Sequence, residues 1–157
     1  MPKPKGHMHQ VTVTARKDGD GFSFSPDSQV WSGASGHFAF NKDDHHMRKH
    51  DYHLVEFDID DQTGEGLKFP RSPEDAMWVA KVHDPQHPTC PDGSSPSDYS
   101  VIDPMCVCDD GERLIVRNEN PREEDWSFTL NFEKTSAGGG ERVSWDPIIK
   151  NGGGGGA

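Results

Sequence analysis

The stretch Trp126-Ser-Phe-Thr-Leu-Asn-Phe132 alternates apolar and polar side chains at every step. A period of two is the signature of a half-buried β-strand, because successive side chains point to opposite faces of a sheet. On this reading Trp126, Phe128, Leu130 and Phe132 face a core, and Ser127, Thr129 and Asn131 face water. The same rhythm recurs in Val11-Thr-Val-Thr-Ala15 and in Val55-Glu-Phe-Asp-Ile59, and Trp78, Ala80 and Val82 share one face of a further strand. Arg113-Leu-Ile-Val-Arg117 is a short continuous run that suits a more buried strand. Phe22 with Phe24, Val30-Trp31, Phe38 with Phe40, and Val143 with Trp145 supply shorter candidates.

Turn-forming residues separate these runs: Asp18-Gly-Asp-Gly21, Pro26-Asp27, Thr63-Gly64, Asp110-Gly111 and Asn120-Pro121. Gly supplies positive φ, and Asp and Asn bond back to their own backbone, so such clusters reverse the chain. The pattern predicts an all-β protein, a single immunoglobulin-like sandwich of about seven to nine antiparallel strands, with a barrel as the alternative. Helix is expected only at Ser72-Pro-Glu-Asp-Ala76, where Ser72 can cap and Pro73 fits the first turn, and over residues 43–50.

Composition supports an ordered domain with polar appendages. Only 31% of the 157 residues are apolar, yet the polar ones fall on the wet half of the strands, in the loops and in glycine runs. The sandwich is placed at residues 8–150. A basic arm over 1–10 precedes it, and a flexible Gly-rich tail over 151–157 follows it unless something captures it. Residues 83–104 hold five prolines and read as one long loop. The net charge is −11, and residues 1–17 alone carry +4. An acidic body offers no cationic groove for nucleic acid. No apolar run is long enough to span a membrane. No apolar leader is visible either, so a cytoplasmic protein is expected, with leaderless export as the other possibility.

Three short motifs carry a resemblance. Trp145-Asp-Pro-Ile-Ile-Lys-Asn-Gly-Gly153, Asn118-Glu-Asn-Pro-Arg122 and the Trp126–Phe132 strand together resemble the DP-EP family of small bacterial β-sandwich proteins. The likeness covers roughly the last 45 residues. It implies a single immunoglobulin-like domain and brings no activity with it.

Chemistry-bearing residues are concentrated in a few places. Asp43-Asp-His-His-Met-Arg-Lys-His-Asp-Tyr-His53 contains four of the nine His. On a helix His46, His50 and His53 would share one face, and imidazole nitrogens at that spacing hold Zn or Cu. His83 and His87 flank the start of the long loop and are a second candidate metal pair. A polar connection in solvent, or a pH-sensitive interface, fits the same residues. His7 and His9 share one face of the first strand. Cys106-Val-Cys108 places two thiols on one side of a strand, with Cα atoms roughly 6.5–7 Å apart, near the limit for a disulfide. Cys90 could pair with either one. Asp58-Ile-Asp-Asp-Gln-Thr-Gly-Glu65 departs from the EF-hand pattern at Thr63 and Phe69 and is read as an acidic turn. No nucleophile elbow, P-loop or dinucleotide fingerprint is present, and the catalytic residues are left unassigned.

The expected function is therefore a non-catalytic module acting through protein interaction or self-assembly, with a homo-oligomer or protein partner. The alternative is a His-rich metal-binding protein or metal-dependent enzyme, with Zn or Cu as its cofactor.

Overall fold

The computed structural model describes residues 3–33, 36–82, 97–135 and 141–155. Two sheets face each other across an aromatic core. The first is built from β1 (Gly6–Asp18), β2 (Gly21–Asp27), β5 (Tyr52–Asp61), β8 (Ile102–Cys108) and β9 (Arg113–Asn118), in the order β2-β1-β5-β9-β8. The second contains β3 (Trp31–Ser32), β4 (His37–Phe40), β10 (Glu123–Lys134), β11 (Arg142–Trp145) and β12 (Ile148–Gly152); β10 pairs with β11 and β12, β12 with β4, and β4 with β3. Two further strands, β6 (Leu67–Lys68) and β7 (Met77–Lys81), also pair with β10.

The all-β sandwich expected from the alternation is what the chain adopts, but two details differ. Twelve strands are present among the described residues, and not all pairs are antiparallel. β1 runs parallel to β5, with His7 opposite His53, and β12 runs parallel to β4, with Ile149 opposite Phe38. The higher count has a local cause. β3 and β6 are only two residues long, and β11 and β12 lie along the same side of β10, broken at Asp146-Pro147. Pro147 has no N–H to donate, but its carbonyl accepts from Phe128 N at 3.1 Å and holds the two halves in line.

Strand parity sets the core. Val11, Val13 and Ala15 of β1 and Val55 and Phe57 of β5 point inward against Phe38, Phe128, Leu130 and Phe132 of the second sheet. The polar face of β10 is a correction: Ser127, Thr129 and Asn131 are buried, not wet. Paired along both edges, β10 lies in mid-sheet, and these side chains bond across to its neighbours. Ser127 Oγ donates to Ala80 O, Thr129 Oγ1 to Asp146 Oδ1, and Asn131 Nδ2 to Asp75 O.

Pro73–Ala76 forms α1 as expected, but 43–50 is not a helix. Only Asp43–His45 makes a 3-10 turn, which His46 ends in a left-handed conformation at φ 53°. Two glycine and lysine segments expected at the margins are drawn into the fold. Lys5 O accepts from Tyr52 N, and Lys5 N donates to Asp51 Oδ1, so the basic leader joins the sheet from there on. Beyond β12, Gly153 O accepts from Lys42 N, and Gly155 N donates to Asp43 Oδ1, so the body captures the tail as far as Gly155. Gly155 has φ +100°, and a Cβ there would lie 2.8 Å from Lys49 Cα, so only glycine fits. No helix among the described residues is long and apolar enough to cross a membrane.

Candidate functional site: a buried imidazole network

The strongest concentration of chemistry lies between the sheets, at the end where β1 and β5 begin. His9 shares the inward parity of Val11 and Val13, and His53 that of Val55 and Phe57. Parallel pairing of the two strands brings the rings together: His9 Nε2 lies 2.9 Å from His53 Nδ1. Phe40 packs against both rings, at centroid distances of 5.7 and 4.9 Å. His45, carried in by the 3-10 turn, lies edge-on to His9 at 4.6 Å and stands 6.0 Å from His53.

Asn120 fixes the proton arrangement of the pair. Its Oδ1 accepts from Gly153 N at 2.7 Å, so its amide nitrogen is the atom that faces Phe40 O at 3.2 Å and His53 Nε2 at 3.1 Å. His53 Nε2 is therefore an acceptor and carries no proton. The proton of neutral His53 sits on Nδ1 and is donated to His9 Nε2, which leaves the His9 proton on its own Nδ1. Beneath this pair Asn118 and Asn151 exchange amide hydrogen bonds at 2.8 and 2.9 Å, and Asn118 Oδ1 also accepts from Asn120 N at 3.1 Å.

The rim is charged. His7 Nε2 lies 3.2 Å from Asp51 Oδ2, and the Asp51 carboxylate also accepts from Arg48 N and Lys5 N. Those backbone donors, Arg48 first and Lys5 next, hold its carboxyl down to about 2. Lys42 is 2% exposed and donates from Nζ to Lys49 O at 2.5 Å; burial pushes its pKa below the ordinary lysine value. Burial is also the main cause of the shifts in the imidazole pair. It lowers His9 to about 4, with help from His45 and His7, and His53 to about 3, with help from His9 and His45.

These shifts set a pH dependence. An unfolded histidine titrates near 6.5. Between that value and about 4 or 3, the unfolded chain binds more protons than the folded one. The stability contributed by neutral His9 and His53 is therefore complete above the unfolded pKa and is lost as pH falls. We expect unfolding by urea to show a loss of about 2–3 kcal/mol between pH 7 and pH 5. A flat profile over that interval would contradict the buried neutral pair. Asp51 acts in a separate, lower window: its contribution is present above 3.8 and lost as pH falls toward 2.

The helical spacing behind the metal assignment is not what the described residues adopt. Of the proposed ligands, His53 is buried in the network, whereas His46 and His50 are exposed. The helix that would have aligned them does not form. His83, His87 and Cys90 lie outside the described residues. Among the described residues no group of three His, Cys, Asp or Glu is placed to hold a metal ion. The facing nitrogens of His9 and His53 are spent on each other, and His53 Nε2 on Asn120. His9 also lines a shallow depression of about 570 Å³ with Asp27 and Ser28, but these do not form a relay. Ser28 Oγ accepts from Val30 N, and His9 Nε2 faces His53.

From the sequence, His9 stands with His7 on one strand face without a partner, His45 counts only within the 43–53 cluster, and Asn118, Asn120 and Asn151 carry no site role. Parity was the usable signal: His9 continues the inward series of β1, and His53 that of β5. Compared with known proteins, the chain matches no family model and no curated protein. The fold and site thus define a two-sheet β-sandwich with a polar, proton-ordered plug at one end.

Proposed function

We propose that this chain is a non-catalytic β-sandwich module that acts through protein interaction, with self-association as its testable form. The free edge of β2 carries this reading. β2 is seven residues long and, among the described residues, pairs with β1 along one side only. Natural sheet edges are guarded by lysines, bulges or mid-strand proline. The opposite edge, β8, has both Pro104 and a register shift between Pro104 and Cys106. β2 carries no basic residue, and its single proline, Pro26, lies next to its last residue, so Gly21–Ser25 stay open to an added strand. The reading keeps the sandwich immunoglobulin-like and keeps the likeness to DP-EP proteins.

Sedimentation velocity across a wide concentration range tests it. Wild type should associate as concentration rises, and the double substitution Ser23→Lys, Ser25→Lys should remain monomeric with an unchanged circular dichroism spectrum. A wild-type monomer at every concentration overturns the proposal.

A further inference from the structure

The exposed edge of the first sheet carries a second, unrelated constellation. Cys106 and Cys108 on β8 have their sulfurs 3.2 Å apart, one residue exposed and the other half-buried. In a regular strand the Cα atoms of such a pair stand at the limit of what a disulfide spans. Here the register slips by one residue between Pro104 and Cys106, so Met105 bulges outward beside the pair. The strand stops just after Cys108, where Asp109 and Asp110 both take left-handed φ, 53° and 57°. The pair therefore sits between two irregular points of a strand that, among the described residues, pairs only with β9, and Val107 between the two cysteines packs on the core.

Neighbouring side chains complete the setting. Arg113 is the cross-strand partner of Cys108, and it is held in place by Asp58 at 2.7 Å, Glu56 at 3.2 Å and Asp109 at 3.0 Å. Hydrogen bonding to Cys108 raises the Cys106 thiol above its ordinary value, as expected where one thiol keeps its proton against a neighbouring sulfur.

We propose that Cys106 and Cys108 form a thiol–disulfide exchange site whose substrate class is a disulfide, either a small molecule such as glutathione disulfide or an exposed disulfide of another protein. One thiolate of the pair attacks a sulfur of the incoming RS–SR. The S–S bond breaks, a mixed disulfide forms, and one RS⁻ leaves. The second cysteine, as its thiolate, then attacks the protein sulfur of the mixed disulfide and releases the second RS⁻. In the net reaction the protein dithiol loses two electrons and two protons, and RS–SR is reduced to two RSH. The resulting ring draws the two Cα atoms together across Val107 and is strained, so it is readily reopened by excess thiol. Closure also shortens the end of β8 where Cys108 pairs with Arg113.

The full chain with Cys90→Ser removes the third thiol and leaves the pair intact. Reduced protein is mixed with glutathione disulfide and followed by intact mass and peptide mapping. We expect loss of two hydrogens, a Cys106–Cys108 linked peptide, and full reversal by reduced glutathione. In the same background Cys106→Ser and Cys108→Ser, both conservative changes on a solvent-facing surface, should each stop at one stable glutathione adduct. Two results overturn the proposal. One is persistent glutathione adducts on the Cys90→Ser protein with no internal disulfide. The other is an internal disulfide that forms only when Cys90 is present. Circular dichroism of each variant confirms that a missing reaction is not a missing fold.

Discussion

Asn120→Ala is expected to lower stability by about 3–4 kcal/mol, which for a domain of this size is a fall in Tm of roughly 10 °C. The amide is a junction of three distant segments. It accepts from Gly153 N and donates to Phe40 O and His53 Nε2. Truncation leaves one buried donor and two buried acceptors without that partner, and the cost of each orphaned group is larger than the net value of a hydrogen bond. Asn120→Asp separates shape from chemistry. It still accepts from Gly153 N but presents a carboxylate where His53 now meets a donor. That carboxylate should raise the His53 pKa and flatten the acid-side loss of stability, because a protonated His53 gains a partner. Urea unfolding of both variants at pH 7 and pH 5 provides the measurement. A loss below about 1 kcal/mol for the alanine variant would show that water replaces the amide at no cost.

Phe38→Ala should cost about 3–5 kcal/mol. Phe38 is fully buried and stands at the centre of the aromatic core. Its ring lies 4.8 Å from Trp31, 5.9 Å from Phe57, 6.0 Å from Phe128 and 6.0 Å from Trp145, so it touches both sheets. β4 is short, four residues, and its attachment to the sheet depends on this side chain as much as on its hydrogen bonds. The cavity left by alanine would be walled by rings whose positions are fixed by their own strands, which limits collapse. Thermal unfolding gives the magnitude. A red shift in tryptophan emission should accompany it, since Trp31 and Trp145 lose their common neighbour. Phe38→Leu, which keeps most of the volume, should cost about 1–2 kcal/mol.

The two effects differ in how visible they were beforehand. Phe38 and Phe40 alternate around Ala39, and Val11, Val13, Val55, Phe57 and Phe128 all follow the same rule, so the core and the all-β architecture could be read directly from period two. The same rule would have extended from Val55 back to His53 and from Val11 back to His9. The helix expected over 43–50 competes with that extension, because His46, His50 and His53 at helical spacing suggest a ligand set. The left-handed His46 breaks that spacing. Parallel pairing of β1 with β5 could not be read at all, since alternation gives a strand its faces but not its neighbour. The asparagines were hidden for a related reason. Asn118, Asn120 and Asn151 look like turn residues one at a time, and only the meeting of three separate segments makes them a network. Ser127, Thr129 and Asn131 show the opposite limit: a polar side chain that bonds to an adjacent strand is as compatible with burial as an apolar one.

The position of β12 has a consequence for how the chain is made. It lies between β10 and β4, with Ile149 opposite Trp126 on one side and Phe38 on the other. Among the described residues, the hairpin of β3 and β4 is joined to its sheet through β12 alone. During synthesis Trp31, Phe38 and Phe40 therefore emerge early and wait for residues 148–152 before their strands can be paired in place. Closing contacts over more than a hundred residues is slow, and the apolar hairpin stays exposed for the whole delay. A nascent chain that stalls before β12 will hold a finished first sheet and an unanchored aromatic hairpin, a species suited to capture by chaperones.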